Sequence, residues 1–267
     1  MTTIHYALQT CDISSRDSQS RYCASTKAEV TKKCVTSFLV AVQTVAKAVP
    51  NTKQHVAIFD DHSTTETADF LKFACNYFTC DNVTIEFIPL QTRGLFESVR
   101  TCFEWLEKNG TELVYQVQDD YLFEPNAIFE MIDVFMKVHK DTNTHPIISP
   151  YNHPHYWETA YAYKATPRVI VPGSNRYWIQ LYEIPCTYLT SKHEFSKHWD
   201  LYENFFNGDL HDPKLEINSF NKILTERGVL GIEPVTSIAL HMQAEFDKDP
   251  YIDWKSRWDS VIEIMPS

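Results

Sequence analysis

Positive charge is what this sequence is short of: 24 Lys and Arg stand against 35 Asp and Glu, leaving a formal net charge of -11. Partners such as nucleic acid or an anionic membrane surface are gathered by a positive field, so neither is expected here, although a local basic pocket for a phosphate is compatible with the balance. Long apolar runs are missing too, and nothing approaches the ~20 residues that span a bilayer. At the N-terminus, Ile4 to Leu8 is too short, and too soon followed by polar residues, for a secretory leader. The cysteines, Cys11, Cys23, Cys34, Cys75, Cys80, Cys102 and Cys186, are odd in number and contain no C-x-x-C pair. That usage fits reduced thiols better than a disulfide frame or a zinc cluster. The expected setting is therefore the cytoplasm, a host's if the source is viral, and the sequons at Asn82 and Asn109 carry little meaning there. There is no internal repeat, low-complexity tract or clean linker, so residues 1–267 read as one domain.

What is present is ordinary globular material, 43% hydrophobic and 22% charged, in a chain long enough to bury a substantial core. Aromatics, at 13%, serve first as core filling and secondarily as surfaces on which sugars or bases stack.

The first half alternates strands and helices. Ile4 to Thr10 predicts a strand, and the spacing of Val30, Cys34, Phe38, Val42 and Val45 predicts a helix over Thr26 to Val49. A β-rich run from His55 to Phe59 ends in Asp60-Asp61-His62-Ser63, suited to capping a helix from about Thr65 to Tyr77. Val83 to Pro89, a helix through Leu95, Val99, Cys102, Phe103 and Leu106, and Glu112 to Val117 repeat the pattern up to Gln118-Asp119-Asp120. Alternating units of this length imply a mostly parallel sheet covered by helices, with ligands at the carboxyl ends of the strands. Asp12, Asp60, Asp61, Asp119 and Asp120 all fall at such ends. After about Ile147, prolines break a His-, Tyr- and Trp-rich segment into loops and short strands. There Arg176 to Leu189 reads as a strand, Ser191 to Phe206 and Glu216 to Arg227 as helices, and Val229 to Ile232 as a last strand.

Two adjacent acids ending an apolar strand are the minimal protein contribution to a magnesium or manganese site, which takes oxygen ligands and leaves the remaining positions to phosphate and water. Side chains alternate along an extended strand, so one acid of the pair is expected to touch the metal. Capping or simple solvation would explain a bare Asp-Asp equally well.

Context favours the metal reading. Gln118-Asp119-Asp120-Tyr-Leu-Phe-Glu-Pro-Asn-Ala-Ile128 resembles the nucleotide-sugar metal motif of GT-A glycosyltransferases, family-2-like, in an x-Asp-Asp variant that lacks the first acid of Asp-x-Asp. His55-Val-Ala-Ile-Phe-Asp-Asp-His-Ser63 is similar to that family's second-strand motif, in which an acid binds the base. The resemblance covers residues 4 to 130 well and the remainder loosely. It implies a GT-A (Rossmann-like) α/β fold with a smaller C-terminal acceptor lobe, 1–130 being the nucleotide-sugar half and 131–267 the acceptor half. It also implies Mn2+ or Mg2+ and a nucleotide-sugar donor, a UDP-sugar foremost. Carried over residue by residue, Thr10, Asp12, Asp60 and Asp61 would meet base and ribose, Arg93 and Arg100 the diphosphate, Asp119 the ribose or sugar, and Asp120 with His241 the metal.

A hydroxyl acceptor attacked with inversion needs a base. Glu216 is the first candidate and Asp212 the second, although Asp212 precedes Pro213 and suits a helix cap; a retaining reaction would need neither. His153 and His155 are placed beside the acceptor, and Tyr177, Trp178, Tyr182 and Trp157 serve as sugar platform or sheet packing. Three other functions compete. A nucleotidyltransferase would want a glycine-rich basic loop after the first strand, and Cys11-Asp-Ile-Ser-Ser15 has no glycine. A non-enzymatic glycan- or protein-binding descendant of the fold is kept open by the missing first acid. A phage-type transferase acting on modified DNA bases is opposed by the acidic charge. The expected partners are a nucleotide-sugar and a small-molecule or glycan acceptor.

Overall fold

The computed structural model describes residues 2–13, 22–24, 26–152, 168–209, 211–212, 214–243, 249 and 251–264. The first half follows the expected alternation: β1 (Thr3–Thr10), α1 (Lys27–Ala48), β2 (Lys53–Asp60), α2 (Thr65–Phe78), β3 (Val83–Pro89), α3 (Leu95–Asn109) and β4 (Leu113–Gln118). After it come β5 (Tyr121–Phe123), α4 (Ala127–Thr142), β6 (Ile147–Ile148), β7 (Ile170–Pro172), β8 (Tyr177–Gln180) and β9 (Tyr188–Ser191). The chain continues through α5 (Lys192–Lys197), α6 (Trp199–Phe206), α7 (Leu215–Asn218), α8 (Asn221–Thr225), β10 (Gly231–Pro234), β11 (Ala239–His241) and α9 (Trp254–Asp259).

Nine strands form one sheet in the order β3-β2-β1-β4-β9-β6-β10-β8-β7. The run β3-β2-β1-β4 is parallel, β9 enters antiparallel between β4 and β6, and β10 pairs parallel with β6. Only β9 and β8 run against the rest. This is the mostly parallel, helix-flanked GT-A layout. A second sheet pairs β5 with β11, His241 standing opposite Tyr121.

Helices cover both faces because each apolar stripe needs a partner. One core gathers α1, α2 and α4, with Val30, Cys34, Phe38, Val42 and Val45 all buried as their spacing predicts. The other lies under α3, α5 and α6, centred on Phe103, whose ring sits 4.9 Å from Tyr202, 5.2 Å from Phe195 and 5.8 Å from Phe220. Among the described residues no helix is long and apolar enough to cross a membrane.

The second half departs from the expected boundaries. The helix expected over Ser191 to Phe206 breaks at His198, which ends α5 and precedes α6 while its ring Nε2 lies 2.9 Å from Glu194. The strand expected over Arg176 to Leu189 divides into β8 and β9, which pair with different neighbours. The helix expected over Glu216 to Arg227 is two short pieces, because Ser219 adopts φ -127°, ψ -96° between them. Apolar periodicity does not register such breaks: Ile217, which continues the expected apolar face, is 53% exposed, and the apolar burial begins at Phe220.

On the α3 face of β1, His5 is only 7% exposed and stacks on His55 at 4.9 Å. Burial, with His55 adding, lowers its pKa from 6.5 to about 4. A neutral imidazole is therefore folded in: the associated stability is whole above pH 6.5 and is lost as pH falls from there toward 4, because only the unfolded chain takes up the proton in that range. His5→Gln is expected to abolish about 2 to 3 kcal/mol of that decline. Urea denaturation at pH 7 and pH 4 checks this; equal declines in the two proteins would contradict it.

Candidate active site at the strand ends

The register that aligns Thr10 with Asp60 and Gln9 with Gln118 brings the carboxyl ends of β1, β2 and β4 side by side. Thr10 Oγ1 lies 3.2 Å from the Phe59 carbonyl and 3.2 Å from Asp60 Oδ1, and the Ser63 amide donates to Asp60 Oδ2 at 3.3 Å. Asp12 accepts from the Thr64 amide at 2.8 Å and the Thr64 hydroxyl at 2.5 Å, fastening the chain beyond β1 to the start of α2. Burial alone would raise the Asp12 pKa, but the bonds from Thr64 and Thr67 outweigh it and hold the carboxyl below its ordinary value. Asp61 donates its amide to the Thr10 carbonyl at 2.8 Å and accepts the Gly94 amide on Oδ2 at 3.0 Å. That bond fixes the turn carrying Arg93. Arg93 is exposed, whereas Arg100 turns toward α6, donating to the Phe206 carbonyl at 3.3 Å and to Asn207 at 3.0 Å.

Asp119 and Asp120 occupy the turn between β4 and β5 rather than an extended strand, so one ammonium reaches both. Lys27 Nζ donates to Asp119 Oδ1 at 2.6 Å and lies 3.8 Å from Asp120 Oδ2. Asp119 Oδ2 also accepts from the Thr31 hydroxyl at 2.8 Å and the Cys11 amide at 3.0 Å. Both oxygens of the acid expected to face the ribose or sugar are thus engaged by the protein itself. Asp120 Oδ2 lies 3.2 Å from His241 Nε2 and 3.4 Å from Gln243 Nε2. The pairing of β5 with β11 delivers His241 here, its ring stacked on Tyr121 at 4.8 Å, and the Met242 amide donates to the Asp120 carbonyl at 2.8 Å. Burial pushes the Asp120 pKa up; His241 and Lys27 more than reverse this and hold the carboxyl well below the usual range.

The segment from Leu181 to Thr187 links the end of β4 to α8. The Gln118 amide donates to Thr187 Oγ1 at 3.2 Å, and the Ile184 amide donates to Asn221 Oδ1 at 2.8 Å. Cys186 lies on this bridge, where burial raises its thiol pKa and the charges of Glu216 and Asp120 both add to the rise. Glu216 is itself exposed; partial desolvation of its carboxyl, with Glu183 adding, raises it above its ordinary value. Asp212 is exposed and accepts the Lys214 amide at 2.9 Å, as a turn-forming residue does. Trp178 is buried in the core and Tyr177 is 66% exposed, so packing accounts for the first. The Arg168 guanidinium stacks 4.4 Å from the Tyr182 ring. His153, His155 and Trp157 lie outside the described residues.

Lys27 and Thr31 escaped the motif reading because they belong to the first turns of α1 and not to the acidic motif; the Cys11 main chain, expected against base and ribose, instead donates to Asp119. One local signal existed. Lys27 is the first residue of a helix, where the dipole favours acids over cations, and a charge of the wrong sign there points to a partner elsewhere.

The geometry fits a divalent cation modestly. Among the described residues no group of three or more His, Cys, Asp or Glu side chains is arranged to hold a metal. Asp120 Oδ1, however, is buried without a hydrogen-bond partner beside the His241 imidazole. An orphaned carboxylate oxygen and one imidazole make the small protein share of a site completed by phosphate and water.

No known family's sequence profile matches the chain, and no curated protein matches it in sequence. Among solved structures it is similar to a mannosyltransferase from Pyrobaculum calidifontis in complex with GDP-Man and Mn2+, with 12% identity and a TM-score of 0.49. The alignment covers 86% of this chain and 54% of that one, so the chain spans about half the mannosyltransferase's length. It is also similar to a UDP-glucose pyrophosphorylase complexed with UDP-glucose (9% identity, TM-score 0.42, covering 88% of this chain and 90% of that one). A nucleoside-diphosphate-sugar pyrophosphorylase from Vibrio cholerae RC9 has 13% identity and a TM-score of 0.41, covering 86% and 90%.

Gly94, whose amide donates to Asp61, adopts φ +123° with open space where a Cβ would stand. Gly94→Ala is thus opposed by backbone strain alone and is expected to destabilise the fold by about 1 to 3 kcal/mol. Chemical denaturation measures it; an unchanged midpoint would show that the turn relaxes freely.

Proposed function

We propose that this chain is a glycosyltransferase that moves a sugar from a nucleoside-diphosphate donor, foremost a UDP-sugar, to a hydroxyl acceptor with a divalent metal. The observation that carries the reading is the buried, unpartnered Asp120 Oδ1 beside His241, set at the strand ends among Thr10, Asp12, Asp60 and Asp61. The residues divide as 1–130 for the donor and 131–267 for the acceptor.

Asp60 and Asp61 lie where an acid can accept from the N–H of a base, and Thr10, Cys11 and Asp12 border the ribose. Asp120 and His241 would hold Mn2+ or Mg2+, which when bound supplies positive charge to the diphosphate leaving group. Arg93, exposed on the turn that Asp61 holds, would supply a cation to the diphosphate, while Arg100 braces α3 against α6. Asp119 shapes the site from within and leaves the ligand role to Asp120. In an inverting transfer, the acceptor oxygen bonds to the anomeric carbon as the bond to the diphosphate breaks, and the acceptor proton passes to a Glu216 oxygen. A raised carboxyl pKa improves that proton acceptance. Asp212, held in its turn, is the weaker candidate.

Calorimetric binding of UDP, with GDP as control, tests the reading in Mn2+ and then in excess chelator, for the intact protein and for Asp120→Ala. The expected result is metal-dependent UDP binding that the variant weakens by about a hundredfold or more, as loss of a charged ligand implies. No UDP or GDP binding under any condition would favour a non-enzymatic binding module. Binding unchanged by chelator or by Asp120→Ala would remove the metal from the reading.

A further inference from the structure

The strand-end nook holds a cation of its own. The Lys27 side chain is 8% exposed and projects from the first turn of α1, 2.6 Å from Asp119 and 3.8 Å from Asp120. Asp119 already receives two neutral donors, the Thr31 hydroxyl and the Cys11 amide. Fastening α1 to β4 therefore does not by itself call for a full positive charge, and a helix N-terminus is a costly place for one. The charge matters for what the neighbouring acid can bind. Two carboxylates and one ammonium leave a single net negative charge, and a divalent ion on Asp120 Oδ1 would stand within a few ångströms of the ammonium.

Resting on the donor-site reading above, we propose that Lys27 makes the Asp120 site refuse a bare divalent cation and accept it only together with a nucleoside diphosphate. A free dication meets one net negative charge and the repulsion of a buried, poorly screened ammonium. A metal–diphosphate complex is itself anionic, so the ammonium that repels the bare ion attracts the complex. Asp119 holds Lys27 in place, and Lys27 acts as a positioning residue that never touches the donor. The site thus fills in one step with metal and nucleotide, and stays empty when metal alone is present.

Titration of the full chain with Mn2+ alone, followed by the electron paramagnetic resonance signal of the free ion, reads this directly. Lys27→Met is expected to bind bare Mn2+ about tenfold tighter or more than the intact protein, the size expected for losing one close repulsive charge. Removing the ammonium also leaves Asp119 buried and unpaired, so the same substitution is placed in an Asp119→Asn background, where no charge is stranded. Asp119→Asn alone is expected to weaken bare Mn2+ binding, and Asp119→Asn with Lys27→Met to restore it to the intact protein's level. Circular dichroism melts establish that each variant is folded. Equal bare Mn2+ affinity with and without Lys27, in both backgrounds, would overturn the proposal. Repeating the titration with UDP keeps this distinct from the donor-site reading: Mn2+ uptake that UDP promotes and Asp120→Ala abolishes leaves that reading standing whatever Lys27 does. Mn2+ uptake indifferent to UDP and to Asp120→Ala would remove both.

Discussion

The buried pair of Lys27 and Asp119 is the constraint on which the geometry of the strand ends depends. An ionised carboxylate inside a protein is tolerated only when it is paired and hydrogen-bonded, and removing one partner of such a pair typically costs about 3 to 5 kcal/mol. Here the pair draws three separate pieces of chain to one atom group: the end of β4, the first turns of α1 through Lys27 and Thr31, and the backbone leaving β1 through Cys11. With those pieces fixed, the positions of the carboxyl ends of β1 and β4 relative to α1 are fixed as well. Asp12 and Asp61 extend the same tie outward, one to the start of α2 and the other to the Gly94 turn.

Two acids adjacent in sequence consequently do different work. Asp119 has both oxygens committed to the protein, while Asp120 keeps one oxygen without a partner and has its charge secured by His241 and Lys27. A carboxylate held ionised and incompletely bonded is a poised ligand, because binding a cation costs no hydrogen bond at that oxygen. The small β5–β11 sheet serves this arrangement: besides burying Leu122, Phe123 and Leu240 in the core, its register puts His241 opposite Tyr121 and the Met242 amide on the Asp120 carbonyl.

Sequence and structure agree most closely where burial is two-sided and periodic. β1 to β4 and α1 to α3 lie within a residue or two of their expected limits, since each strand carries a β-rich apolar stretch ended by turn or acidic residues and each helix carries a stripe that must face the sheet. The acidic ends of those strands were legible for the same reason, an apolar run stopping abruptly at Asp60 or Asp119. Lys27 was not, because its partner lies 92 residues away and only the pairing of distant elements brings them together. β5 and β11 escaped for a related reason: three-residue strands carry no periodicity, and what defines them is each other. In the second half, breaks at His198 and Ser219 come from local backbone geometry within apolar stretches that read as unbroken.

The acceptor side is built on another principle. Its candidate base rides on a one-turn helix, and no strand of the large sheet positions it. What steadies it is packing one step away: Phe220, just beyond α7, lies 4.4 Å from Phe205 and 5.8 Å from Phe103, inside the aromatic core under α3. The bridge from Leu181 to Thr187 then ties that core to the strand ends at Asn221 and Gln118. The strand-end carboxylates are thus held by hydrogen bonds to main chain and charge, and Glu216 by aromatic packing nearby and one loop. Placement by packing tolerates small shifts that a hydrogen-bonded strand end does not. Within one fold, the strand-end group is therefore held fixed while the segment carrying Glu216 is freer to move.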